Sequence, residues 1–83
     1  MRLDKFLKVS RIIKRRTVAN EACDGGRVEI NGRPAKAGAQ VKVGDVVTLH
    51  FGDRTFKFRI LVVEETVKKQ DTADMYEVLT DEI

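Results

Sequence analysis

The sequence predicts an α+β fold in which two short N-terminal helices pack on a small antiparallel β-sheet. Three observations carry that expectation. Apolar residues recur at helical spacing in the first two dozen positions, a glycine pair at 25–26 ends that period, and strict alternation of period two follows.

The first helix rests on Leu3, Phe6 and Leu7, which form one stripe over residues 2–9. Asp4 falls in the first turn, where a carboxylate suits the helix dipole, and Lys8 follows four residues later as an ion-pair partner. Residues 10–16, SRIIKRR, have too few periodic positions for a long helix. They predict a turn that tucks Ile12 and Ile13 inward. Thr17 then reads as an N-cap, with Val18, Ala19, Ala22 and Cys23 as the inner face of a second helix. Gly25-Gly26 stops it, because glycine readily takes the left-handed conformation that closes a last turn.

In RVEI the side chains alternate, and Asn31-Gly32 marks a two-residue hairpin turn. Val41, Val43 and a Gly44-Asp45 turn lead into VVTLHF, with Val47, Leu49 and Phe51 expected inward. Gly52-Asp53 reverses the chain into RTFKFRILV, where Phe56, Phe58, Ile60 and Val62 alternate with Thr55, Lys57 and Arg59. The remainder leaves two readings open, a helical turn around Ala73–Tyr76 or a last strand through Tyr76–Leu79.

Eighty-three residues make one small domain, with residues 66–83 set apart as an acidic tail. No run approaches the roughly 18 apolar residues of a spanning helix, and the N-terminus lacks the apolar core of a secretory signal. The expected location is the cytoplasm. The lone cysteine, Cys23, fits a reducing compartment and a small core residue, and neither a metal nor any other cofactor is expected. Catalysis is poorly provisioned too, since His50 has no partner at a recognisable spacing and no glycine-rich phosphate loop occurs.

Charge is distributed unevenly. Residues 1–42 carry eleven Lys or Arg against four acids, and residues 43–83 carry five against nine. Such a basic half repels itself unless a polyanion accepts it, which points to nucleic acid; a merely solvated basic face is the alternative. Between positions 2 and 16 stand Arg2, Lys5, Lys8, Arg11, Lys14, Arg15 and Arg16, opposed by Asp4 alone. Arginine forks hold phosphate oxygens bidentately, and Arg15 and Arg16 immediately precede the expected start of a helix, where free N–H groups favour an anion. Four of five aromatics (Phe6, Phe51, Phe56 and Phe58) fall on expected buried faces. Recognition of shape and phosphate is therefore expected rather than base stacking.

RLDKFL, the basic turn ending in Arg16-Thr17, GRVEING and VKVGD together resemble the RNA-binding domain named after small-subunit ribosomal protein S-four, the alpha-L motif, over residues 1 to about 52. The resemblance implies RNA held on the basic helical face, with Arg2 and Arg16 contacting ribosomal RNA and tRNA and Asp4 as the acidic position of the same motif. A free-standing copy of this length resembles the RqcP family of bacterial ribosome quality-control factors and the related fifteen-kilodalton heat-shock proteins. The acidic end here favours the former. That implies a non-enzymatic monomer, away from membranes, that binds large-subunit rRNA and peptidyl-tRNA and works with a protein factor in tail elongation on stalled nascent chains. The RNA-binding residues expected are Arg2, Asp4, Lys5, Arg11, Arg15 and Arg16. A general rRNA-binding heat-shock or assembly factor and a protein-interaction module remain the rival readings.

Overall fold

A computed structural model of the chain describes residues 1–65 and 69–82; residues 66–68 and 83, part of the acidic tail set apart in the sequence, lie outside the described residues. Helix α1 spans Leu3–Val9 and α2 spans Arg16–Asp24. Strands β1 (Val28–Ile30), β2 (Arg33–Pro34), β3 (Val46–Phe51), β4 (Arg54–Ile60) and β5 (Tyr76–Glu82) pair antiparallel in the spatial order β2-β1-β3-β4-β5. Both readings of the last segment hold in part: a 3-10 helix over Lys69–Met75 delivers the chain into β5, which runs beyond Leu79.

The stripe on α1 does what its spacing predicts. Leu3, Phe6 and Leu7 are fully buried, and Phe6 lies over Phe58 of β4 with ring centroids 6.1 Å apart and planes 14° from parallel. Phe58 in turn meets Phe56 and Tyr76 at 5.6 and 5.5 Å, so one aromatic ladder joins α1 to β4 and to the edge strand β5. Val28, Val47, Leu49, Ile60 and Met75 complete the core beside Ala19, Ala22 and Cys23 of α2. Burial pushes the Cys23 thiol up to about 11, with Asp4 and Asp24 adding to the shift.

Helix ends follow from local chemistry. Gly26 closes α2 in the left-handed region at φ 81°, the Gly26 N–H donating to Cys23 O and the Arg27 N–H to Ala22 O, the paired bonds of a Schellman motif. Asn31 and Gly32, at φ 52° and 83°, form the hairpin turn expected between β1 and β2. Asn31 also donates through Nδ2 to buried Asp45 at 3.1 Å and accepts the Val46 N–H at 3.0 Å, tying that turn to the start of β3.

Four expectations need correction. Thr17 is not the cap of α2: Arg15 occupies that place in an extended conformation (φ −118°, ψ 131°), and its side chain makes no capping hydrogen bond. The register therefore turns Val18 outward, 47% exposed, while Ala19, Ala22 and Cys23 stay buried. Phe51 is 44% exposed, because it is the last residue of β3 and stands next to the reversing turn. Val62 is only half-buried, since β4 ends at Ile60.

Candidate nucleic-acid interface

Arg2 stands just before α1, Asp4 in its first turn, Arg16 at the first position of α2, and Asn20 one turn further along the same face. The start of α1 is held by a loop that the sequence did not mark as part of the site. Residues 37–41 run beside the N-terminus, with Leu3 N–H donating to Ala39 O at 2.8 Å, Asp4 N–H to Ala37 O at 3.2 Å, and Val41 N–H to Met1 O at 2.9 Å. Arg2 pairs there with Gln40 in an isolated antiparallel bridge, and the terminal amine donates to Gln40 Oε1 at 3.0 Å.

At the centre is Asp4, 1% exposed. Arg2 donates to it through Nε at 3.1 Å and Nη2 at 3.3 Å, Arg16 through Nε at 3.4 Å, Asn20 through Nδ2 at 3.3 Å, and the Lys5 backbone N–H at 2.8 Å. A carboxylate taken out of water costs several kcal/mol unless it is paired and hydrogen-bonded, and both conditions are met here. Burial pushes the Asp4 carboxyl up, but the hydrogen bonds from Asn20, Arg2 and Arg16 outweigh it and hold the group below its ordinary value. Its expected partner Lys8 is not among these donors.

One negative charge thus holds two positive ones, and the excess faces outward. The Arg2 and Arg16 side chains are each 48% exposed. Among the described residues Arg16 bonds through Nε alone, to Asp4, which leaves both its terminal amino groups for an external oxygen pair in the bidentate geometry that suits phosphate. Both arginines line an open depression of about 440 Å³ with Thr17, Asn20 and Glu21.

Other basic residues behave differently. Lys5 is tied by its ammonium to Glu65, whose carboxyl it holds below the ordinary range, so it is not the free cation the sequence suggests. Arg15 and Lys14 are exposed and carry no ion pair among the described residues. Arg11 does not join the Arg2–Arg16 cluster; it lines a separate groove with Phe51 and Arg54. Asn20 was not among the expected site residues, although its place four residues after Arg16 on a helix would have put it there. His50 does have a carboxylate partner, Glu29 on the neighbouring strand at 2.7 Å, but no hydroxyl or thiol bonds to that pair among the described residues. No cluster of three His, Cys, Asp or Glu suited to a metal ion occurs among the described residues either, and no helix there is long and apolar enough to cross a membrane.

Residues 1–47 match the S4 domain family. Over 82 residues the chain is 52% identical to the RQC P-site tRNA stabilizing factor of Halalkalibacterium halodurans, covering 99% of this chain and 93% of that protein. It is 51% identical over 82 residues to the Bacillus subtilis protein of the same name, covering 99% and 95%. Among solved structures, the trimeric Vibrio cholerae Heat Shock Protein 15 superposes with a TM-score of 0.86 at 29% identity, over 95% of this chain and 81% of that one.

Proposed function

The chain belongs to the S4 domain family, and from that premise we propose that it is a non-enzymatic factor of the bacterial cytoplasm that docks on rRNA of the large ribosomal subunit and steadies a peptidyl-tRNA there. In this reading it serves ribosome quality control, supporting tail elongation on stalled nascent chains beside a protein factor that performs the elongation. The names of its relatives, P-site tRNA stabilizing factors, support the role. The observation that carries it is the arginine pair held by Asp4, with both terminal amino groups of Arg16 unbonded among the described residues and so open to an external anion.

Folded RNA offers phosphates in fixed positions, so a receptor gains most when its own donors are fixed beforehand. Asp4 does this: the rotamer entropy of two long side chains is already spent on the carboxylate, and docking exchanges condensed counterions for charge-assisted hydrogen bonds. Arg15, exposed at the cap of α2, extends the same basic edge. Lys5 joins only if Glu65 releases it.

Cosedimentation with large subunits that either retain or lack peptidyl-tRNA tests the proposal. Preferential retention on tRNA-bearing subunits is expected. Equal binding to vacant subunits and to free rRNA would instead favour a general heat-shock or assembly factor, the reading to which the likeness to Heat Shock Protein 15 lends weight. Absence of pelleting at moderate salt would leave the protein-interaction module.

A further inference from the structure

We propose that the groove beside the β3–β4 turn is a second, separate RNA site, one that accepts a single unpaired nucleotide with its base on aromatic rings and its phosphate between Arg11 and Arg54. The groove encloses about 430 Å³, within the range of small-ligand clefts, and shares no lining residue with the Arg2–Arg16 depression.

Three features of the groove point to this occupant. Its floor is aromatic and fixed: Phe56 and Tyr76 meet edge to face at 6.4 Å, and both lean on buried Phe58. Phe51 stands 44% exposed at the rim, directly across the strand pair from Arg54, and such an open ring is available for stacking an unpaired base. Two guanidinium groups without an acid partner among the described residues supply charge for a phosphate, so the lining is complementary to a nucleotide and not simply to an apolar side chain.

Arg11 adds an independent observation. It ends α1 in the left-handed region at φ 64°, at the position after the C-cap where glycine is the usual residue. Its N–H donates to Lys8 O at 3.1 Å, as this ending requires of any residue there. The fold thus needs the conformation and not the arginine, whose side chain lines the groove.

The proposal shares with the functional reading only that the partner is RNA, and the test separates the two. The full chain is titrated with single-stranded oligoadenylate and followed by NMR; the ring of Tyr76, the one tyrosine in the sequence, gives an unambiguous signal in the groove. Saturable shifts are expected at Tyr76, Phe51 and Arg54 in the native chain and equally in Arg16→Ala, which weakens the first site. Phe51→Ala, a change at an exposed rim position, is expected to weaken the affinity at least about fivefold. Arg54→Ala is expected to lower the salt slope by about 0.7. Shifts confined to the surroundings of Arg2 and Arg16, unchanged affinity in Phe51→Ala, or a Tyr76 signal that oligoadenylate leaves in place would each overturn the groove site, the last also being the outcome if a peptide rather than RNA fills it. Loss of ribosome binding with the Tyr76 shifts intact would sink the functional reading alone.

Discussion

Replacing Asp4 with Asn tests whether a buried carboxylate organises the basic face. The substitution keeps shape and one acceptor oxygen but turns the other into a donor that faces the guanidinium and amide donors of Arg2, Arg16 and Asn20. A hydrogen bond to a charged group is worth about 1.5–3 kcal/mol net, and two arginines are affected. Each is 48% exposed, however, and can regain water when released, which holds the total to the low end, about 2 kcal/mol. For a domain of this size that lowers Tm by about 8–16 °C. Urea unfolding at pH 7, repeated downward in pH, supplies the assay. In the native chain the Asp4 carboxyl lies below its ordinary value, so the folded state favours the ionised form. The stability it contributes is complete above the ordinary Asp range near about 4 and is lost as pH falls through the lower folded-state value. The difference between native and Asp4→Asn should therefore shrink on acidification. A change below about 0.5 kcal/mol at pH 7, or a difference that stays constant with pH, would refute the reasoning.

Arg16→Ala should weaken ribosome binding and lower its salt slope by roughly one phosphate contact while costing less than about 1 kcal/mol of stability, since its bond to Asp4 is half in solvent. Urea unfolding of Arg11→Gly should show a chain as stable as the native one or up to about 1 kcal/mol more so, because glycine relieves the left-handed backbone but gains entropy when unfolded. Alkylation of Cys23 at pH 8 should run about 100-fold slower in the folded chain than in denaturant from its thiolate fraction alone, the thiol being pushed up to about 11; mass spectrometry against time reads this. Glu65→Gln frees Lys5 and should tighten RNA binding about twofold at low salt, an effect that filter binding would show fading at high salt.

What the sequence made legible is whatever depends on near neighbours. Leu3, Phe6 and Leu7 mark a helix face by spacing alone, Asn31-Gly32 admits few turns, and Gly25-Gly26 stops a helix whichever way the chain goes next. Alternation correctly placed Phe56, Phe58 and Ile60 on one face of β4. It could not reveal that Phe51, on the corresponding face of β3, lies at the strand's end where solvent reaches it, because periodicity defines a side and not what covers it. The cap of α2 escaped for a related reason: its position depends on where the preceding turn lets the backbone become extended, and that is at Arg15.

The candidate site divides along the same line. Arg2, Asp4 and Arg16 stand out as charges, and the structure brings these three together. Their arrangement depends on bonds spanning 12 residues to Arg16 and 16 to Asn20, on a loop at 37–41, and, for Lys5, on an acid 60 positions away. Counting charge cannot distinguish Arg16, with terminal amino groups to offer, from Lys5, already engaged. Nor can it separate Arg11, which the chain carries round to another groove.

The salt dependence of binding to large ribosomal subunits, compared between the native chain and a variant carrying Arg2→Gln and Arg16→Gln, bears most directly on the central claim. If the pair held by Asp4 grips RNA phosphates, the slope of log affinity against log salt should fall by about 1.4–1.8, with circular dichroism unchanged. An unaltered slope and affinity in a folded double variant would show that RNA is held somewhere else.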